Sequence, residues 1–272
     1  MQKSLFENEN MIEPLKPAFC IGAVSRSTFY QGDCLVEMDK IADKSVDMIL
    51  CDLPYGTTAC KWDNVIPFEP MWKHYERIIK DSGSIVLFCS EPFSSLLRCS
   101  NLKIYKYDWK WIKNRYGNFI MASRQPIKEQ EDIAVFSKAS ASTTGKIKMN
   151  YKPIFTEEQK NKTQEHKEKH NNLGKTKVGY NFKRNINEGS FPKNVLKFDF
   201  DKDRLHPTQK PIALMEYLIK TYTNEGETIL DNCMGSGTTG VACKKTGRHF
   251  IGIEKDENYY NIAVRRVSEY CG

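Results

Sequence analysis

Short apolar segments alternate with helix-like segments along most of this chain, and this alternation constrains the fold more than any other feature. Five segments have the length and apolar content of strands: 28–33, 46–52, 84–89, 228–231 and 249–254. Six segments between or after them are predicted as helices: 34–42, 68–80, 92–99, 211–222, 238–245 and a last helix from about 257. Strands that alternate with helices predict an α/β fold with a doubly wound, mostly parallel, Rossmann-like sheet.

Two further strands and one break are predicted in the first half of the chain. Segment 105–111 alternates apolar and polar residues, as in a half-exposed strand, and segment 132–136 is apolar. Trp109 and Trp111 share one face of the first of these strands, so we interpret them as packing residues. The turn residues Asp81-Ser82-Gly83 predict the end of the helix at 68–80.

The sequence Asp52-Leu53-Pro54-Tyr55 ends one of the apolar strands. Pro54 has no N–H group and a fixed φ, so the strand cannot simply continue through it. A carboxylate, free carbonyls and an aromatic ring are therefore presented at the carboxyl end of a strand, where ligands bind in open α/β sheets. Such a group can hold a planar base that carries an exocyclic amine. A strand exit with an unrelated Asp and Tyr is the alternative.

A glycine-rich segment, Asp231 to Gly240, lies between a predicted strand and a predicted helix. Its glycines allow a tight turn and a close approach of a ligand to the backbone, and the helix start offers free N–H groups. No Lys follows as a P-loop requires. Glu254 ends the next strand, where a carboxylate can accept both hydroxyls of a ribose. The alternative is a structural turn and an unrelated Glu.

The positive charge of the chain is concentrated in its middle. Residues 138–204 hold 16 of the 41 Lys and Arg residues but 8 of the 34 Asp and Glu residues, a local charge of +8 within a total of +7. The remainder is nearly neutral, which favours a polyanionic partner for this segment. A solvated basic loop without a partner is the alternative. We expect an inserted module at 138–203, after an N-terminal extension at 1–26.

Cysteine usage and hydropathy indicate the compartment. None of the nine cysteines forms a CxxC pair, and the five histidines show no metal-ligand spacing. Residues 1–10 are polar, and no apolar segment approaches the roughly 18 residues of a membrane span. The sequence predicts a cytoplasmic protein with no membrane association and no metal.

Three motifs together resemble a known family, the permuted β-type amino-methyltransferases (N4/N6) that modify DNA. Asp52 to Tyr55 resembles their (D/N/S)PP(Y/F) catalytic motif, and Asp231 to Gly237 resembles their S-adenosylmethionine motif. His206-Pro207-Thr208-Gln209-Lys210-Pro211 resembles the segment that precedes the cofactor motif. The order of catalytic motif, basic segment and cofactor motif matches the permuted arrangement.

The resemblance implies a Rossmann-like methyltransferase sheet with one antiparallel strand, S-adenosyl-L-methionine as cofactor and double-stranded DNA as substrate. Residues 27–137 would be the catalytic half, 138–203 the target-recognition region and 204–272 the cofactor-binding half. A homodimer and a cognate restriction endonuclease are compatible partners. The implied catalytic residues are Asp52, Leu53, Pro54 and Tyr55. The implied cofactor-binding residues are Asp33, His206, Thr208, Lys210, Asp231, Cys233, Gly235, Ser236, Gly237, Thr238, Thr239 and Glu254.

The chain departs from the family pattern at two positions. Leu53 replaces the usual first Pro but keeps the backbone carbonyl that the family uses. Cys233 replaces the common Phe, which removes packing beside the cofactor but no polar contact.

Some residues have an alternative interpretation. Asp33 lies near the cofactor adenine in the resemblance but can also cap a turn. Lys210 either approaches the cofactor carboxylate or only solvates its loop. Trp62 and Asp63 either order the catalytic loop or the DNA, or cover the sheet edge.

The leading hypothesis is a site-specific DNA adenine-N6 methyltransferase. The adenine amine is a poor nucleophile, so the Asp52 carboxylate and the Leu53 carbonyl would accept its two N–H groups while Tyr55 stacks on the base. The base must be flipped out of the duplex, at a cost of a few kcal/mol. A cytosine-N4 methyltransferase is the first alternative, although that group more often has Ser at the position of Asp52. A catalytically silent DNA-binding subunit, and RNA or protein as substrate, are the others.

Overall fold

The computed structural model describes residues 25–57, 63–117, 119–142, 145–155, 190–202 and 209–270. These residues contain eight strands: β1 Ser27–Gln31, β2 Val46–Asp52, β3 Ile79–Cys89, β4 Tyr105–Gly117, β5 Lys128–Phe136, β6 Val195–Lys197, β7 Thr228–Asp231 and β8 His249–Glu254. They also contain six α-helices: α1 Cys34–Glu37, α2 Phe68–Ile78, α3 Phe93–Ser100, α4 Ile212–Tyr222, α5 Thr238–Lys245 and α6 Glu257–Glu269. No helix in these ranges is both long and apolar enough to span a membrane.

All eight strands belong to one sheet, in the order β1-β8-β7-β2-β3-β5-β4-β6. β5 runs antiparallel to its neighbours β3 and β4, and every other neighbouring pair is parallel. The predicted α/β sheet with one antiparallel strand is confirmed.

The central strand β2 shows why helices cover both faces of the sheet. Its residues alternate between two clusters of buried side chains, with Ile49 and Cys51 on one face and Met48 and Leu50 on the other. Helices α1, α2 and α3 pack on the first face, and α4, α5 and α6 pack on the second. Burial of each large apolar side chain contributes about 1.5–3 kcal/mol, so both layers stabilise the same strand.

The sheet reverses its winding direction between β2 and β7. After β2 the chain adds β3 on one side, and after β7 it adds β8 on the other, while Ile49 of β2 pairs with Leu230 of β7. Asp52 and Asp231 therefore end neighbouring parallel strands at the same edge. A crevice forms at such a switch point, outside the carboxyl ends of the strands, and it is where ligands bind in open α/β sheets.

The turn at Asp81-Ser82-Gly83 does not separate α2 from the next strand, because β3 already begins at Ile79. Val46 pairs with Ile79, but Met48 pairs with Ser84, so β3 accommodates its extra residues in an irregular stretch. The predicted end of the helix is confirmed, because α2 ends at Ile78, but the turn residues form an irregularity inside a strand and do not separate the two elements.

The β4–β5 hairpin is longer than the apolar pattern predicts. Trp111 pairs with Glu131 and Ile112 with Gln130, so both strands extend beyond the predicted apolar segments. Trp109 and Trp111 are buried in the core, as we expected. The polar extension of the hairpin carries Lys113, Arg115 and Glu131 to a cleft at the carboxyl edge of the sheet.

Part of the basic middle segment joins the sheet, because β6 pairs in parallel with β4. Residues 156–189, with most of its charged residues, lie outside the described residues, and so do residues 1–24 of the predicted N-terminal extension. The proposed domain boundaries stay predictions.

Candidate active site

The cleft at the carboxyl edge of the sheet has a volume of about 910 Å³. Predicted site residues from both halves of the sequence line it: Asp33, Asp52, Leu53, Pro54, Tyr55, Lys210, Asp231, Cys233, Gly235, Ser236, Thr238, Thr239 and Glu254. His206 and Thr208 lie outside the described residues. The structure therefore brings together the described members of the predicted site in one cavity, with the exception of Gly237.

Asp52 ends β2 with both carboxylate oxygens engaged. Tyr55 Oη donates a hydrogen bond to Oδ1 at 2.8 Å, and Lys210 Nζ donates to Oδ2 at 2.7 Å. About a quarter of the Asp52 side chain is exposed, whereas Lys210 is 7% exposed. Lys210 thus contacts the catalytic motif itself, which neither of our expectations for this lysine anticipated.

Lys210 belongs to a row of alternating charges that crosses the cleft. Its Nζ lies 3.3 Å from Oε2 of Glu131, and Lys113 Nζ donates to Oε1 of Glu131 at 3.2 Å. The rings of Phe88 and Tyr55 lie 5.0 and 5.9 Å from the lysine nitrogen. The positive charges of two lysines and the negative charges of two carboxylates balance here, as buried charges require.

The pKa values of these groups follow from burial and from their neighbours. Burial raises the pKa of Asp52, and Lys210 offsets part of that rise. Burial alone would lower the pKa of Lys210, but attraction to Asp52 and Glu131 outweighs it and the pKa is raised. For Glu131, Lys210 and Lys113 outweigh burial, and the pKa is lowered.

The loop after Asp52 is held by packing and by one buried carboxylate. Leu53 is 4% exposed and packs into the core, which accounts for an apolar side chain at this position. The Tyr55 ring stacks on Phe93 with centroids 5.3 Å apart. Asp63 accepts hydrogen bonds from the backbone N–H groups of Gly56 at 2.8 Å and Thr57 at 2.9 Å. Of the two interpretations of Asp63, ordering of the catalytic loop is the one that the structure supports.

Asp231 anchors the glycine-rich loop to the end of β7. Its carboxylate accepts hydrogen bonds from the Cys233 backbone N–H and the Thr239 hydroxyl. Burial raises the pKa of Asp231 to about 7, although these hydrogen bonds favour the ionised form. The carboxylate therefore ties the loop to the start of α5.

Glu254 holds the same loop from the end of β8. Its Oε2 accepts a hydrogen bond from the Gly235 N–H and its Oε1 accepts one from the Asp256 N–H, both at 2.9 Å. Gly235 has φ +51°, a conformation that favours glycine, and a side chain there would meet no atom within 4 Å. The backbone at Gly235 is therefore open to a ligand that enters the cleft.

Asp33 caps a helix at the edge of the cleft. Its carboxylate caps α1 by accepting a hydrogen bond from the Leu35 N–H, and the residue also lines the cleft. A hydrogen bond from Lys255 lowers the pKa of Asp33.

Gly237 does not line the cleft but packs under it. It has φ +79°, and a Cβ atom would lie 3.0 Å from the Cα of Ala263 in α6. The glycine thus allows the glycine-rich loop to lie directly on α6.

Gly237→Ala is expected to destabilise the fold. Left-handed strain costs about 1–2 kcal/mol, and overpacking against Ala263 adds about 1–3 kcal/mol. Gly226→Ala is the matched control, because Gly226 has φ +77° but a Cβ atom there would meet no atom within 4 Å. Urea denaturation should show a clearly larger loss for Gly237→Ala, and equal losses would contradict this packing role.

Sequence reasoning missed Glu131, Lys113 and Gln209 as residues of the cleft. Glu131 and Lys113 lie on the polar extension of the β4–β5 hairpin, where the apolar pattern had already ended. The alternation of positive and negative side chains along these paired strands was the sequence signal that could have indicated them. Gln209 belongs to the motif that precedes the cofactor motif, and its Oε1 accepts a hydrogen bond from Ser236 Oγ at 3.4 Å.

The fold and the site together indicate an α/β enzyme with a ligand-binding cleft at the switch point of its sheet. The segment that carries Asp52 and Tyr55 lies at this cleft. The family model for N6/N4 DNA methylases matches residues 46–265. The chain therefore belongs to the N6/N4 DNA methylase family, and the predicted class, a DNA methyltransferase, is confirmed.

Relatives of known type match most of the chain. It is 30% identical to the DNA adenine methyltransferase YhdJ of Escherichia coli (strain K12) over 88% of this chain and 82% of that protein. It is 28% identical to the type II methyltransferase M.HpaI of Haemophilus parainfluenzae, over 86% of this chain and 72% of the relative. The type II methyltransferase M1.MboII of Moraxella bovis is also 28% identical, over 86% and 94%.

Solved structures show the same fold. A complex of M1.HpyAVI with SAM has a TM-score of 0.55 and 25% identity, and the match covers 88% of this chain and 99% of that one. The cytosine-N4-specific PvuII DNA methyltransferase has a TM-score of 0.64 at 14% identity, over 91% and 88%. The second likeness concerns the fold alone.

Proposed function

We propose that this protein is a site-specific DNA methyltransferase that transfers a methyl group from S-adenosylmethionine to N6 of a flipped-out adenine in duplex DNA. The observation that carries the proposal is the Asp52 carboxylate at the switch-point edge, in the same cleft as Glu254 and the glycine-rich loop. Membership in the DNA methylase family supports it, and so does the similarity to a relative named as a DNA adenine methyltransferase.

The cleft fits S-adenosylmethionine. Glu254 ends β8 and Asp33 follows β1, and these two strands are adjacent and parallel. Two carboxylates are therefore available to hydroxyl and amino groups of a nucleoside. Backbone at Gly235 is open for close approach. Two proteins of the same fold, M1.HpyAVI and TTHA0409, have been solved as complexes with this cofactor. When bound, it supplies an electrophilic methyl group on a sulfonium sulfur.

The residues of the catalytic loop have separate tasks. The Asp52 carboxylate and the Leu53 carbonyl accept the N–H groups of the adenine amine, which holds electron density on the attacking nitrogen. Tyr55 presents an aromatic face to the base, while Phe93 supports the ring from its other side. Asp63 fixes the loop through the N–H groups of Gly56 and Thr57, so the base meets a preorganised site.

The proposal is tested by incubating a duplex DNA library with labelled S-adenosylmethionine and digesting the DNA to nucleosides. N6-methyladenine is the expected product. N4-methylcytosine would replace the adenine assignment with the cytosine alternative. Absence of any labelled nucleoside, together with no binding of S-adenosylmethionine in calorimetry, would favour a silent DNA-binding subunit. Matched incubations with RNA and with protein check the remaining substrate classes.

The middle segment at 138–203 is proposed to recognise the target sequence, because it carries the excess positive charge of the chain. Base-edge contacts from this segment would set the sequence specificity. A homodimer, a cognate restriction endonuclease and a cytoplasmic location stay predictions of the family resemblance and of composition.

A further inference from the structure

The Asp52 carboxylate is bound to a lysine, whereas the proposed reaction requires this carboxylate to contact the base. Lys210 Nζ donates to Asp52 Oδ2 at 2.7 Å. The oxygen has a second lone pair, but an ammonium at this distance neutralises the charge that should polarise the amine of the base. Productive binding of the base therefore requires Lys210 to weaken its contact with Asp52.

A second carboxylate is in position to accept that lysine. Oε2 of Glu131 is buried and already lies 3.3 Å from Lys210 Nζ, as the second anionic partner of this lysine. Oε1 of Glu131 accepts a hydrogen bond from Lys113 at 3.2 Å, which fixes the carboxylate on β5. The side chains of Glu131 and Lys113 are 15% and 10% exposed.

We propose that Glu131 is a positioning residue that takes over Lys210 when the target base enters, and so releases Asp52 to accept the adenine amine. The inference rests on the proposed function. Lys210 already lies between the two carboxylates, so a small movement of its ammonium exchanges one ion pair for the other. The ammonium keeps a carboxylate partner throughout the exchange, which avoids the cost of several kcal/mol that an unpaired buried cation incurs.

The fixed position of Glu131 makes the exchange specific. Glu131 pairs with Trp111 in the β4–β5 ladder, and Trp111 is buried in the core. Oε2 of Glu131 therefore faces Lys210 from a rigid part of the sheet. Without this carboxylate, the lysine would have Asp52 as its only anionic partner among the described residues.

The test compares single-turnover methyl transfer by the full chain and three variants. Glu131→Gln is expected to lower the transfer rate about 10-fold, since misplacement of a reacting group by about 1 Å costs up to about 100-fold. Cofactor affinity should stay unchanged. Glu129→Gln, an exposed neighbour on β5, is the matched control and should behave as the wild type. Glu131→Asp keeps the charge and should restore part of the rate.

A double-mutant cycle separates this role from a merely structural one. Because Glu131 acts through Lys210, Glu131→Gln should have no further effect on the transfer rate in a Lys210→Gln background. A full additive loss in that background would overturn the inference. If Glu131→Gln fails to fold, the cycle is run with Glu131→Asp.

The pH profile of transfer gives an independent readout. Removal of the positive charge in Lys210→Gln raises the pKa of Asp52 and should move the acid limb to higher pH. Removal of the negative charge in Glu131→Gln lowers that pKa and should move the limb to lower pH. The groups that face Asp52 and remain in both variants are Tyr55, Cys51 and Asp231.

The inference and the proposed function fail in different ways. A wild-type rate and pH profile in Glu131→Gln, beside an inactive Asp52→Ala, would overturn the role of Glu131 alone. No methyl transfer by the wild type would overturn the proposed function, and the inference would fall with it.

Discussion

Asp52→Ala is expected to lower methyl transfer to DNA by about 100- to 1000-fold, the usual loss when one preorganised polar contact to a developing charge is removed. The carboxylate accepts the amine N–H at the moment the nitrogen attacks, and alanine offers no acceptor. Single-turnover transfer with labelled cofactor measures the effect. Cofactor affinity should hardly change, because we propose that Glu254, which lines the same cleft, holds the cofactor and that Asp52 does not.

Two further variants make this result specific to Asp52. Asp52→Asn keeps one oxygen acceptor and the shape of the side chain, so it should retain more transfer than the alanine variant. Asp43→Ala removes an exposed carboxylate that pairs with Arg77 before β2, at the opposite edge of the sheet. It should transfer methyl groups at the wild-type rate. Full activity in Asp52→Ala, with an unchanged melting temperature, would contradict the proposed mechanism.

The role of Asp52 also predicts the direction of the pH dependence. The carboxylate must be ionised to accept an amine N–H, and burial raises its pKa above the ordinary value for aspartate. Transfer should therefore decline on acidification at a higher pH than an exposed aspartate would cause. A pH–rate profile measured at saturating cofactor checks the direction.

Local sequence was sufficient to predict the two ends of the site. Asp52 and Asp231 each follow a short apolar strand, and parallel strands bring such ends to one edge of a sheet. The rule needs no knowledge of tertiary contacts. It predicted the edge on which Asp33 and Glu254 also lie.

The charge row across the cleft could not be predicted in the same way. Lys210 reaches Asp52 and Glu131 only because β5 runs antiparallel beside β3 and brings its polar end to the cleft. That register depends on packing between distant segments, and the β-strand propensities of single residues do not predict such packing. Residues Asp81-Ser82-Gly83 lie inside a strand for a related reason, since β3 pairs with β2 on both sides of them, at Ile79 and at Ser84.

Glu254→Ala is expected to weaken S-adenosylmethionine binding by about 100-fold or more, because two hydrogen bonds to a charged group contribute about 3–6 kcal/mol. Glu254 holds the N–H groups of Gly235 and Asp256, so its loss also frees the loop that forms this side of the cleft. Isothermal titration calorimetry with the cofactor measures the change in Kd.

The matched control for this prediction is Glu257→Ala, which removes an exposed carboxylate in the first turn of α6 without touching the cleft. Its Kd should equal that of the wild type. Glu254→Gln keeps the length of the side chain and one acceptor oxygen. An intermediate Kd for this variant would indicate that part of the loss in Glu254→Ala comes from a less ordered glycine-rich loop. Wild-type affinity in Glu254→Ala would remove this residue from the cofactor site. Because methyl transfer at saturating cofactor should recover more in Glu254→Ala than in Asp52→Ala, the two variants divide the cleft into a cofactor side and a catalytic side.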